Sequence, residues 1–180
     1  VLGNRGAGAA AHFGLTAATD LIMGTFSKSL ASVGGFIAAD EDVIHYLKHK
    51  SRALIFSASL PPASTASVLA ALKIMESEPE RIERLWEITH YMLKEFQAMG
   101  YNTGTSCTPV IPLHVGEMQV AFEMWKRLGE EGVFINPVVP PAVPPNSCLI
   151  RTSFMATHTN AQLDFALDKF RVIGKELGVI

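Results

Sequence analysis

An α/β fold follows from three features of the sequence. Short apolar runs of strand length alternate with stretches of helical periodicity, glycine and proline stand at the junctions, and the composition supports a packed core. Of the 180 residues 48% are hydrophobic and only 18% charged, which excludes a disordered chain and is slightly apolar for this length. A chain of this size holds one domain, or one and part of another, and can bury roughly 70% of the surface its unfolded form exposes.

The opening VLGNRGAGAAAHFG is dense in glycine and alanine, as where backbone lies close to something else. DLIMGTF reads as a short buried strand, SKSLASVGG as a loop and FIAA as a second strand. In EDVIHYLKHK the residues Val43, Ile44 and Leu47 share one helical face, and ALIFS reads as a third strand. Pro61 and Pro62 suit a first helical turn, which Val68, Leu69, Leu72 and Met75 continue as an apolar stripe until Pro79. Between Glu76 and Pro79 charge-poor, Ala/Ser-rich sequence becomes charge-rich, so a domain boundary is expected there, dividing residues 1–77 from 78–180.

The second part opens with an amphipathic helix up to Met99 that turns Ile82, Leu85, Trp86, Met92, Leu93 and Phe96 inward and stops at Gly100. Val110 to Val115 is a strand that Pro112 assigns to a sheet edge, and a helix from Glu117 to Glu131 ends at Gly132. Val133 to Val139 is a further strand, and PVVPPAVPPN is too rich in proline to pair centrally. From Cys148 to Phe154 the residues alternate, with Cys148, Ile150, Thr152 and Phe154 on one face and Leu149, Arg151 and Ser153 on the other. Thr159 and Gln162 make a capping box for a last helix with the stripe Leu163, Ala166, Leu167, Phe170 and Leu177.

A net charge of -2, from 15 basic and 17 acidic residues, supplies no cationic field for phosphate backbones, so nucleic acid is excluded as a partner. Cys107 and Cys148 lie far apart without a CxxC, which predicts neither a metal site nor a disulfide scaffold and fits a reducing cytoplasm. Residues 53–72 carry no charge, but Pro61, Pro62 and the hydroxyls among them argue against a membrane span. No signal peptide is visible, and the chain starts at Val1 in what reads as mid-domain sequence; a fragment is expected.

Gly6-Ala7-Gly8 fits the loose form of a dinucleotide fingerprint but lacks a preceding strand and an acidic residue downstream, so a structural turn or a close helix approach is expected. Lys28 is more informative. It follows the first strand, flanked by Thr25, Ser27 and Ser29, with no carboxylate before Asp40. A lysine taken at random is a solvated loop residue. In this small, apolar neighbourhood burial would favour the neutral amine that attacks a carbonyl, and the hydroxyls could bind a phosphate. An amine beside a phosphate cradle suggests pyridoxal phosphate held as a Schiff base. Arg151, on an apolar strand between Leu149 and Ser153, calls for an anionic partner; a bound carboxylate and a structural pair with Asp or Glu serve equally. His12, His45 and His114 carry structural readings alone.

In their order and spacing LGNRGAGAAAHFGL, GTFSKSLASVGGF, IFSASLPP, FINPVVPPAVP and LIRTSFMATHT resemble the C-terminal half of the α-oxoamine synthases. These are fold-type I, pyridoxal phosphate-dependent acyltransferases that condense an amino acid with an acyl-CoA and release CO2 and CoA. The resemblance covers essentially the whole chain. It implies the back of the cofactor domain over 1–77 and a C-terminal small domain over 78–180. Within the family the long proline loop from Pro137 to Pro145 looks most like that of bacterial serine palmitoyltransferases, which use L-serine and palmitoyl-CoA. 8-Amino-7-oxononanoate synthase and 2-amino-3-ketobutyrate CoA ligase are the nearby alternatives, acting on alanine or glycine.

The resemblance implies that Lys28 binds the cofactor and moves the substrate α-proton, that Thr25 and Ser27 contact the cofactor phosphate, and that Ser57 and Ala58 reach across a homodimer interface to the partner's phosphate. It implies that Arg151 holds the amino acid carboxylate and that His158 and Thr159 belong to an A-T-H-T signature. The family's pyridine-pairing aspartate, ring-stacking histidine and D-E-A-H type stretch are not in this sequence, so the 180 residues alone are expected to be inactive. A non-catalytic subunit or dimerisation module is the alternative of another class. No spanning helix is expected, although a long-chain acyl-CoA and a lipid product could draw such an enzyme to a bilayer surface.

Overall fold

A computed structural model describes residues 1–180, and the chain divides into two compact units, Val1–Ile82 and Glu83–Ile180. The elements in order are α1 (Ala9–His12), β1 (Leu21–Thr25), β2 (Gly35–Ala39), α2 (Glu41–Lys50), α3 (Arg52–Ile55), α4 (Pro62–Ser77), α5 (Glu80–Met99), β3 (Val110–Gly116), α6 (Met118–Glu130), β4 (Asn136–Val138), β5 (Cys148–Ser153) and α7 (Asn160–Glu176). The fold class is α/β, as expected.

In the first unit β1 and β2 form an antiparallel pair, with Leu21 opposite Ala39 and Thr25 opposite Gly35. Gly6 has φ 77°, and a Cβ there would come 2.6 Å from Ile82 Cδ1, so the glycine serves a turn and a close approach. The Arg5 guanidinium donates to the Glu76 carbonyl at 2.8 Å. Two expectations are corrected. ALIFS forms no strand: Ser51 caps a short helix, α3, its hydroxyl accepting from the Leu54 amide at 3.4 Å, and a short apolar run does not by periodicity distinguish strand from helix. The β1 strand is not buried, since Leu21, Ile22 and Met23 are all exposed. The α4 stripe is mostly uncovered too, with Val68 buried but Leu69 and Leu72 exposed.

The second unit holds a three-stranded antiparallel sheet in the order β3-β5-β4. Both proline-bearing strands are edges, where a missing N–H costs no ladder bond. β4 is shorter than the strand expected from Val133 to Val139, pairing only over Asn136–Val138 before Pro140 and Pro141 stop the ladder. Cys148, Ile150 and Thr152 of β5 are buried while Arg151 and Ser153 are exposed, the alternation the sequence predicts. The inward face packs with Ile111 and Leu113 of β3 against Met92 and Phe96 of α5, Met124 and Leu128 of α6, and Leu167 and Phe170 of α7.

At the centre of this core Phe96, Tyr101 and Phe170 meet edge to face, with centroids 5.0 to 6.1 Å apart. The Tyr101 hydroxyl donates to the Phe170 carbonyl at 2.7 Å, which satisfies the one polar atom the ring carries inward, and burial pushes its phenol pKa up. Gly100, at φ 101°, ends α5 ahead of that residue. Thr159 and Gln162 form the expected capping box, the Gln162 amide donating to Thr159 Oγ1 at 3.3 Å and the Thr159 amide to Gln162 Oε1 at 2.9 Å. No helix is long and apolar enough to cross a membrane.

Candidate active site

Thr25 is the last residue of β1, and the chain leaves it through a closed loop, residues 26–34, before β2. Backbone bonds hold that loop at both ends: the Phe26 amide donates to the Gly34 carbonyl and the Ser32 amide to the Phe26 carbonyl, each at 2.9 Å. A tighter turn lies inside, where the Ala31 amide donates to the Lys28 carbonyl at 3.0 Å. Phe26 stacks on Phe36 with centroids 6.0 Å apart, fixing the hinge from strand to loop. Glycine is needed at position 35, because a Cβ there would lie 2.6 Å from the Gly24 carbonyl oxygen of the paired strand.

Lys28 is exposed on this loop, and neither a hydrogen bond nor an ion pair engages its amine. Its expected burial is therefore corrected: the small residues around it are themselves exposed and give the amine no cover. The hydroxyls of Thr25 and Ser27 are exposed and have no protein partner. Between residues 25 and 35 there is no carboxylate. Ser27 also lines a shallow depression with Ser32, Val33, Ser64 and Ser67, and the Ser32 hydroxyl donates to the Ser64 carbonyl at 3.3 Å, tying the loop to α4.

Ser57 and Ala58 follow α3 and are both exposed. The same segment reaches the Lys28 loop through Leu60, whose side chain packs against Gly34. No hydrogen bond joins Ser57 to Thr25, Ser27 or Lys28. The first unit thus places Thr25 at the strand end and Ser27 and Lys28 on the loop that follows, with the segment after Ser57 alongside it through Leu60.

Arg151 belongs to the second unit. It lies on the central strand, opposite Pro112 of β3 and Asn136 of β4, on the face turned away from the helices. The guanidinium is exposed and has no ion pair, so the structural pair with Asp or Glu is absent and no burial cost arises. Directly opposed residues share a face, which makes Asn136 its neighbour. Ser32, Ser64 and Asn136 were not singled out from sequence: strand register and the approach of α4 to the loop are tertiary facts with no local signal. His158 is held by both backbone and ring, its Nδ1 accepting from the Met155 amide at 3.3 Å and its carbonyl accepting from Arg84 at 3.4 Å. Beside it an apolar cavity of about 530 Å³ opens between α7 and the end of β5, with Met92 and Phe170 among its lining and Phe134 at its side.

An unpaired lysine amine on a loop that also bears unpaired hydroxyls has the donor types that can bond a carbonyl and an anion. The aminotransferase class I and II family profile matches residues 1–170. The chain belongs to the aminotransferase class I and II family. Serine palmitoyltransferase of Bacteroides ovatus is 52% identical over 180 residues, all of this chain and 46% of that protein. The 8-amino-7-oxononanoate synthase of Thermosipho melanesiensis is 42% identical over the same 180 residues, again 46% of its length. Among solved structures, a serine palmitoyltransferase with a PLP internal aldimine superposes with a TM-score of 0.94 at 32% identity, over 99% of this chain and 46% of that one. The Sphingomonas wittichii serine palmitoyltransferase gives a TM-score of 0.94 at 31% identity, over 99% and 45%. This member of the family spans about half the length of the relatives it matches.

Proposed function

We propose that this chain is the C-terminal half of a pyridoxal phosphate-dependent acyltransferase that condenses L-serine with palmitoyl-CoA to 3-ketosphinganine, CO2 and CoA. In this reading residues 1–77 are the back of the cofactor domain and 78–180 the small domain. The observation that carries it is the Lys28 loop, an unpaired amine that follows the unpaired hydroxyls of Thr25 and Ser27. The donor set fits the cofactor: the amine matches its aldehyde, the hydroxyls match its phosphate, and no carboxylate stands in the loop to repel the anion.

Thr25 and Ser27 donate to the phosphate, and Ser57 and Ala58 reach that of a partner subunit in a homodimer. Lys28 would hold the cofactor through its aldehyde and, once the amino group of the substrate has displaced it and freed its amine, would take and return the proton at the amino acid Cα. When bound, pyridoxal phosphate withdraws electrons from that carbon and stabilises the carbanion. Arg151 receives the serine carboxylate as a two-pronged, permanently charged donor, and its lack of a protein partner leaves both prongs available. In the net reaction a bond forms between Cα and the acyl carbonyl carbon, the thioester C–S bond breaks and the carboxylate leaves as CO2.

The 52% identity to a serine palmitoyltransferase favours serine, and the 42% identity to an 8-amino-7-oxononanoate synthase keeps alanine as the second reading. The exposed apolar side chains of residues 1–82 support the homodimer. Two free cysteines, Cys107 exposed and Cys148 buried, support a cytoplasmic location. The 180 residues alone are expected to be inactive. A chimera in which they replace the matching stretch of the Bacteroides ovatus enzyme tests the reading. It should turn over serine with palmitoyl-CoA and lose turnover with Lys28→Ala; preference for alanine would establish the second reading, and a folded chimera inert toward both would overturn the proposal.

A further inference from the structure

His45 and His49 are the one pair of histidines four residues apart among the six in the chain, and both lie on α2. That spacing sets two side chains on the same helical face. Here the imidazole centroids are 4.3 Å apart with ring planes inclined at 34°, and both rings are exposed. Nδ1 of His49 lies 2.8 Å from the His45 carbonyl oxygen. A carbonyl can only accept, so Nδ1 carries the proton of this contact, and Nε2 is the ring nitrogen left for a ligand. A ring nitrogen anchored to a backbone carbonyl fixes the tautomer and the orientation in which histidine ligates metals.

His49 also stands in the last turn of α2, where unsatisfied carbonyls form the negative end of the helix dipole. Lys50, its neighbour in sequence, falls on another face of the helix, whereas Lys48 stands three residues from His45 and shares its side. No third histidine, cysteine or carboxylate is near enough to complete a larger set. Two neutral imidazoles suit copper, nickel or zinc, whereas magnesium and calcium require oxygen ligands.

We propose that His45 and His49 form a two-ligand, solvent-open chelate on α2 for a divalent ion of the copper, nickel and zinc class, with water in the remaining positions. The site involves none of Lys28, Thr25, Ser27 or Arg151, so it stands or falls apart from the acyltransferase reading. The test is calorimetric titration of the untagged chain with Ni2+, alongside His45→Gln, His49→Gln and His90→Gln variants and a Mg2+ control. Circular dichroism checks that each variant keeps its helices. One Ni2+ should bind, weakened at least about tenfold by either α2 substitution, with His90→Gln unchanged and Mg2+ silent. Affinity that is the same in His45→Gln, His49→Gln and the parent, or equally lowered by His90→Gln, would overturn the site.

Discussion

In residues 83–180 the side chains of Phe96, Ile111, Leu113, Met124, Leu128 and Ile150 are 0% exposed, and they belong to one continuous core. In residues 1–82 the only buried residue is Val68, while Phe56 is 80% and Val33 70% exposed. Both regions carry apolar runs of similar strength, and both have well-formed hydrogen-bonded elements. The difference teaches that an apolar stripe reports a face that wants cover, not a face that has it. The second unit covers its own stripes with three helices on one side of a sheet. The first unit displays them, and it is also the unit that carries the lysine loop.

Cutting into each region should break the symmetry of their sequences most clearly. Phe96→Ala removes the centre of the aromatic cluster and is expected to cost about 3–5 kcal/mol in denaturant unfolding, whereas Phe56→Ala should stay within about 0.5 kcal/mol. Equal losses at the two positions would remove the contrast. Hydrogen exchange sharpens it without mutation: amides of β5 and α7 should exchange in the slowest class, and those of β1 and β2 well before them.

A smaller effect tests the local logic of the second unit. Thr159→Ala deletes the capping oxygen at the start of α7 and should lower stability by about 1 kcal/mol, with Thr159→Ser largely restoring it. The smallest concerns alkaline pH. Tyr91 donates to Asp164 Oδ1 at 2.6 Å, and that bond, then burial and the carboxylate's charge, push its phenol up to about 12. A pKa raised above its unfolded value of about 10 stabilises the fold fully below pH 10, and the contribution fades as pH climbs through about 12. Tyr91→Phe should flatten that limb of the stability profile, by little, since the pair is solvent-screened.

The second unit was legible from sequence almost element by element, because its periodicities are long and its stops are explicit: Gly100, Gly132, the Thr159–Gln162 box and the alternation around Arg151. The first unit misled where runs were short. ALIFS has the composition of a strand, yet Ser51 offers a helix cap and the run is too brief for periodicity to decide. The candidate site was legible as residue types, Lys28 among hydroxyls and Arg151 on a strand. What Lys28 and Arg151 lack, a cover and an ion pair, is a matter of tertiary surroundings. The helix that carries His45 and His49 is legible in sequence, but the contact of their rings and the Nδ1 bond of His49 are not.

The proposed function depends most heavily on Lys28 as the amine that takes a pyridoxal phosphate aldehyde. Incubating the chain with that compound, reducing with borohydride and mapping the adduct by peptide mass spectrometry tests it directly. The phosphopyridoxyl group should concentrate on Lys28 ahead of Lys48, Lys50 and Lys73, and it should fall when Thr25 and Ser27 are both changed to alanine. Labelling spread evenly over the lysines, or missing from Lys28, would contradict the account.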